Sequence, residues 1–209
     1  MSTEVRDPIH GAIGVTAREL PVLDHPFVQR LRNILQMGFS QLPFPGAVHS
    51  RYIHAVGVMH LAGRAFDSAF GDHRFSTEKK REDFRQVVRL AGLLHDLGHA
   101  PFSHCSEFAM PNLGSLSIDA YDAQTRALRD DKRASHEDYT IGILTKTQLE
   151  KTINEGFDFT ARHVAALISR EVYVDDDFFQ DEGLDYRRVL SQLISSELDV
   201  DRLDYLVRD

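Results

Sequence analysis

Along most of the chain, apolar residues recur three and four positions apart, the period of a helix buried along one face. From about Ser50 to Phe70, His54, Val58, Leu61 and Ala65 share such a face, which predicts a long helix. A second helix is predicted from about Glu82 to Leu97. Its stretch from Val87 to Leu94 is apolar almost all round, as in a helix enclosed by others, and Gly98 is a natural stop. Asp24 is placed to cap a helix from about Pro26 to Met37, with Pro26 in its first turn. A short helix is predicted after Pro101. Ser135 and Asp138 have the spacing of a capping box that opens a helix to about Glu150. Further helices are predicted from about Thr160 to Arg170 and from Tyr186 to the end. Residues 1–25 read as loops with short extended pieces. Residues 41–49, 71–80 and the acidic stretch from Asp175 to Asp185 read as loops, and 111–133 as the most mobile one. Strand-like alternation is scarce and no repeat is visible. The expected fold class is all-α, a single helical domain over residues 1–209.

Composition adds bounds. With 42% hydrophobic and 27% charged residues, the chain reads as an ordinary globular domain. No apolar run reaches the roughly 18–20 residues of a membrane span, and the polar N-terminus does not resemble a signal peptide, so a cytoplasmic location is expected. A net charge of −8 argues against nucleic acid as a partner but not against one small anion. Cys105 is the only cysteine, so a metal site would have to use the 11 His and 32 acidic residues.

The densest chemistry lies between Ala91 and His104. An apolar helix ends in adjacent His95 and Asp96, and His99 and His104 follow. An ionised Asp buried near a helix C-terminus is disfavoured by desolvation and by the helix dipole, so a compensating cation is expected. Imidazole with carboxylate suits Fe, Mn, Zn, Co or Ni. Taken singly, each residue has a plainer reading. A His-Asp pair can be a simple hydrogen bond at a helix end, and His54 can be a satisfied core histidine. Asp201 shares a helix face with Tyr205 and Asp209, which can be a solvated acidic face.

Order and context add a resemblance. Arg51-Tyr-Ile-His54, His95-Asp96 and Asp201 follow the H…HD…D order of the HD-domain phosphohydrolases. Asp7-Pro-Ile-His-Gly11, Gln29-Arg-Leu-Arg32, Phe44-Pro-Gly46, Arg51 to Gly57, His95 to His104, Ser135-His-Glu137 and Asp199 to Tyr205 occur in the same order as in the deoxynucleoside triphosphate triphosphohydrolases. The similarity runs over about residues 4–209 and implies a helical HD bundle around one divalent transition metal held by His54, His95, Asp96 and Asp201. It implies water attack at the α-phosphorus of a dNTP, giving a deoxynucleoside and triphosphate, with Mg²⁺ accompanying the nucleotide.

By the same resemblance, His99, His104 and His136 face the phosphates. His104 is the proton-transfer group, oriented by Glu107 where the family often has Asp. His136 has a plainer reading, a surface residue in the first turn of a helix. Arg51 and Arg202 contact phosphate oxygens, although animal members carry Lys at the second position. Gln36 and Asp209 meet the sugar 3′-hydroxyl, and Tyr205 packs on the deoxyribose. Asp24, Gln29 and Arg32 match positions that recognise an activating nucleotide between subunits, which implies a homo-oligomer, dimer or tetramer. The plainer reading of that trio is a helix cap and a helix surface, and Arg6 stands where animal members have Asn. Family members usually continue well past the point where this chain ends, four residues after Tyr205. A fragment or a short variant is therefore expected, lacking the usual C-terminal region and exposing an apolar patch there. The rival readings are an HD-domain phosphohydrolase for another nucleotide or phosphoester, and a nucleotide-binding regulatory module with little activity.

Overall fold

A computed structural model describes residues 3–209. The fold is all-α apart from two small hairpins, one pairing β1 (Thr3–Asp7) with β2 (Gly11–Val15) in antiparallel register. The short extended pieces expected here pair into a hairpin, which the sequence does not show because in β2 only Ile13 and Val15 are buried, too short an alternation to stand out. Next comes α1 (Leu20–Leu23). Asp24 ends this helix and does not begin the next one. The cap of α2 (Pro26–Gln29) is His25, whose ring accepts from the Phe27 N–H. The expected helix from Pro26 to Met37 is also broken. A 3-10 turn, Arg30–Asn33, follows α2, and Ile34 is extended so that its carbonyl accepts from the Arg51 N–H.

The centre of the domain is α3 (Arg51–Ala69) packed along α4 (Glu78–Leu94). A Cβ on Gly92 would lie 3.1 Å from the Val58 carbonyl and from Ala62, so these backbones approach closely because Gly92 has no side chain. The pairs Val58–Gly92, Gly63–Arg89 and Asp67–Arg85 run in opposite directions, so the helices are antiparallel. The start of α3, with His54, therefore meets the end of α4, with His95. At the far end, Phe66, Phe70, Phe75, Phe84 and Tyr186 form an aromatic cluster with centroids 4.9–6.2 Å apart.

Helix α4 stops at Leu94, before Gly98. Gly98 serves packing instead: a Cβ there would sit 1.8 Å from the His136 carbonyl and 2.6 Å from the Thr140 N–H. Residues 111–133 hold more structure than predicted. They contain a 3-10 turn at Leu113–Leu116 and α5 (Ala123–Arg129), and they bury Leu113, Ile118, Ala120 and Tyr121. Arg129 and Tyr121 both bond the buried carboxylate of Asp138. The capping box of Ser135 and Asp138 opens α6 (His136–Lys146). Thr147 then caps α7 (Gln148–Gly156), dividing the single helix expected there. After α8 (Ala161–Ile168), a short pairing of β3 (Gln180–Asp181) with β4 (Leu184–Asp185) sits inside the acidic stretch. The terminal helix is likewise two: α9 (Arg187–Ile194) and α10 (Val200–Arg208), the latter capped by Asp199 and packed on α3. Leu203, Leu206 and Val207 are exposed on α10. No helix among the described residues is long and apolar enough to cross a membrane.

One buried ion pair ties the N-terminal hairpin to the core. Arg89 on α4 donates through Nε to Glu19 Oε1 at 2.5 Å and through Nη2 to Oε2 at 3.0 Å, and also meets the Gly14 carbonyl. Burial pushes the Glu19 carboxyl up, but Arg89 and Thr16 outweigh it and hold its pKa below the usual value. Removing one member leaves the other charge buried and unpaired, so Glu19→Ala should destabilise the fold by about 3–5 kcal/mol in urea unfolding. The contribution of Glu19 is complete above pH 4.5 and should be lost as pH falls below that value.

Candidate metal centre

The antiparallel hairpin sets the site. His54 lies one turn into α3 and is fully buried; His95 and Asp96 follow directly on α4; Asp201 comes from the first turn of α10. Asp201 Oδ1 lies 2.9 Å from His54 Nε2 and 3.6 Å from His95 Nε2. Asp96 lies 3.4 Å from His95 Nε2 through Oδ1 and 3.8 Å from His54 Nε2 through Oδ2. These spacings match the edges of a coordination polyhedron with bonds of about 2.0–2.2 Å.

The tautomers agree with that arrangement. His95 Nδ1 lies 2.8 Å from the Gly92 carbonyl, and His54 Nδ1 lies 2.8 Å from Asp204 Oδ2. Both oxygens only accept, so both Nδ1 atoms carry hydrogen. Each neutral ring then turns its Nε2 lone pair inward, and neither buried Nε2 makes an aligned hydrogen bond with a described residue. Two unpartnered imidazole nitrogens facing two carboxylates fit a divalent transition metal.

Without a metal, protons fill that role. Burial pushes His95 down, but the charges of Asp96 and Asp201 overcome it and raise its pKa to about 9. His54 is likewise raised against its burial, by Asp201, Asp204 and Asp96. Burial pushes Asp96 up, yet His95, His99 and Arg51 hold it well below the usual carboxylate range. Arg51 is thus part of the compensation that the sequence assigned to a metal alone. Its buried guanidinium pairs with Asp96 and donates to Ser103 Oγ at 2.5 Å, while the side chain also borders the cavity described below.

A second group lies beside the first. His99 stacks on His136 with centroids 3.9 Å apart, and His104 stands edge-on to both. Glu107 Oε1 accepts from His136 Nδ1 at 2.5 Å and from His104 Nδ1 at 3.0 Å. The donors of His99, His104, Glu107 and His136 are near enough to one another to surround an ion. All three rings also border one side of the cavity described below. His99 is neutral at pH 7, its pKa pushed to about 4 by burial and by the Arg51 and His136 charges, against Asp96. Burial raises Glu107, but His136 and His104 keep it ionised.

A cavity opens over these groups in two lobes of about 270 and 280 Å³. Arg202 lines one lobe with His95 and Asp199. Gln36, Arg51, His104 and Asp209 line the other, and Asp96, His136, Asp201 and Tyr205 border both. Among the described residues, Asp24, Gln29 and Arg32 line neither lobe. Gln29 and Arg32 bond each other, and Arg32 lies 3.6 Å over the Tyr52 ring. The sequence reading missed three contributors. Ser103, held at φ 56°, joins Arg51 to the Gln36 carbonyl; His49 lies 3.3 Å from Asp209; and Asp204 meets His54. For Asp204 a signal existed, since it lies one turn after Asp201, while His49 and Ser103 carry no spacing that marks them.

Metal binding must displace protons from the His95 and His54 rings. Below pH 9 the apparent affinity for Co²⁺ should therefore climb with pH, by up to about tenfold per unit for each proton released. Equilibrium dialysis of the metal-stripped protein between pH 6.5 and 9 measures this, and a flat profile would contradict the ligand assignment.

The relatives agree with the geometry. The family model described as the HD domain matches residues 51–209, which include all four clustered residues. The "Deoxynucleoside triphosphate triphosphohydrolase SAMHD1 homolog" of Dictyostelium discoideum is 32% identical over 98% of this chain, and the human SAMHD1 protein of the same description is 29% identical over 98%. This chain covers 35% and 32% of those proteins, so it spans about a third of their length. The crystal structure of a hypothetical protein from Aquifex aeolicus matches the whole chain with a TM-score of 0.67 at 28% identity, over 46% of its own length. The chain belongs to the HD-domain family.

Proposed function

We propose that the protein is a metal-dependent phosphohydrolase that cleaves deoxynucleoside triphosphates into deoxynucleoside and triphosphate. The observation that carries this reading is the juxtaposition of two histidine–carboxylate groups under one two-lobed cavity. One group holds unpartnered nitrogens for a metal, and the other holds rings able to meet phosphate and move protons. The names of the Dictyostelium and human relatives support the substrate class.

His54, His95, Asp96 and Asp201 would hold a divalent transition metal, which would supply Lewis acidity toward a phosphate oxygen and an attacking water. The protein's own groups do the rest. His99 and His136 line the phosphate path, and Arg202 adds an exposed positive charge at its edge. His104 keeps its Nδ1 hydrogen on Glu107 and delivers a proton from Nε2 to the departing 5′-oxygen. Water oxygen joins the α-phosphorus as the bond to the 5′-oxygen breaks; His104 gives up the second of its two ring hydrogens to that oxygen, and the proton shed by the water passes to solvent. Arg51 fixes Asp96 and, from the cavity wall, meets a phosphate oxygen. Gln36, whose buried Oε1 has no partner among the described residues, and Asp209 receive the sugar hydroxyl, while Tyr205 packs on the deoxyribose. Mg²⁺ enters with the nucleotide, and the reaction is cytoplasmic. Asp24, Gln29 and Arg32 remain a proposed nucleotide contact between subunits of a homo-oligomer.

Incubation with Mn²⁺ and each dNTP, with products separated by anion exchange, tests this. Deoxynucleoside and triphosphate are expected. Release of monophosphate and pyrophosphate would overturn the assignment to α-phosphorus hydrolysis with triphosphate release. His104→Ala should lower turnover by about 10²–10⁴-fold with metal content unchanged, whereas His95→Ala should lose the metal.

A further inference from the structure

Asp204 lies outside both lobes of the cavity, yet its carboxylate is fully buried and crowded with donors. Oδ1 accepts from His10 Nε2 at 2.6 Å and from Arg208 Nη2 at 2.8 Å. Oδ2 accepts from His54 Nδ1 at 2.8 Å and from Arg208 Nε at 2.7 Å. A carboxylate offers about four lone-pair sites, so Asp204 is saturated and has none left for a metal. Arg208, one turn on, grips both of its oxygens in a buried two-pronged ion pair. Arg208 in turn reaches Asp7 Oδ2 at 3.0 Å, whose Oδ1 accepts the N–H groups of Ile9 and His10. The hairpin turn, α3 and α10 thus meet at one carboxylate.

From this geometry we infer that Asp204 is a positioning residue for the metal centre, fixing His54 in the Nδ1–H tautomer with its Nε2 lone pair aimed between Asp96 and Asp201. This rests on the metal reading above. A carboxylate whose other lone pairs are taken by His10 and Arg208 admits only a hydrogen-bearing Nδ1 opposite it, so the other ring nitrogen is committed to the centre. The sequence makes room for the contact: a Cβ on Gly57 would lie 2.1 Å from Asp204 Oδ1. Asp201 and Asp204, one turn apart on α10, then divide the work, since Asp201 faces the His54 Nε2 and Asp204 the Nδ1 of the same ring. Among the described residues no carboxylate stands behind His95; its Nδ1 is held by the Gly92 carbonyl.

Two measurements test this. Co²⁺ is titrated into metal-stripped wild type and Asp204→Asn, followed by the visible ligand-field bands, with helix content checked by circular dichroism. The variant should keep its helices, bind Co²⁺ about 10–100-fold more weakly and show altered bands. Separately, long-range ¹H–¹⁵N spectra of the Zn²⁺-loaded wild type should show His54 as the Nδ1–H tautomer with a strongly downfield Nδ1 proton; this arm decides the matter if the variant does not fold. Unchanged Co²⁺ affinity and bands in a variant that merely melts earlier, or an Nε2–H tautomer of His54, would overturn the role of Asp204 alone. A wild type that bound no Co²⁺ would overturn the metal reading with it.

Discussion

Two carboxylates and two imidazoles share one buried space where α3 starts and α4 ends, and most of the structure answers to the charge they carry. Asp96 and Asp201 cannot stay ionised there uncompensated. Protons on His54 and His95, the guanidinium of Arg51 and, on our reading, a metal all meet the same demand. The geometry is possible because Gly92 lets α3 and α4 touch, Gly57 admits Asp204 and Gly98 lets α6 close over the turn. Each of these glycines stands where a methyl group would collide with backbone or with a charged group.

The same demand organises the neighbouring histidines. His99 sits between the two groups, with Nε2 3.4 Å from Asp96 and its ring against His136. It stays neutral beside Arg51, while the Glu107 carboxylate accepts hydrogen bonds from His104 and His136.

Much of this was legible in the chain. The long period-3.6 segments gave α3 and α4 within a few residues, and the Ser135 capping box is where the spacing put it. Breaks inside helices were not legible. Thr147 interrupts α6 from α7 because its side chain caps the next helix, and Asp199 opens α10 in the same way. Both are ordinary polar positions until the backbone turns. The residues at the site were readable as types in an order, and the structure brings His54, His95, Asp96 and Asp201 together. What spacing could not express was long-range partnership. The pairing of Arg51 with Asp96 left no trace in the spacing, and Asp204, unremarked in a charged helix, touches three elements.

The central claim is that these four side chains form one metal centre. Crystals grown with Mn²⁺ and measured above and below the metal absorption edge test it most directly. The account predicts a single anomalous peak within about 2.0–2.3 Å of His54 Nε2, His95 Nε2 and one oxygen each of Asp96 and Asp201. A peak that left Asp201 or either Nε2 unbound would contradict it.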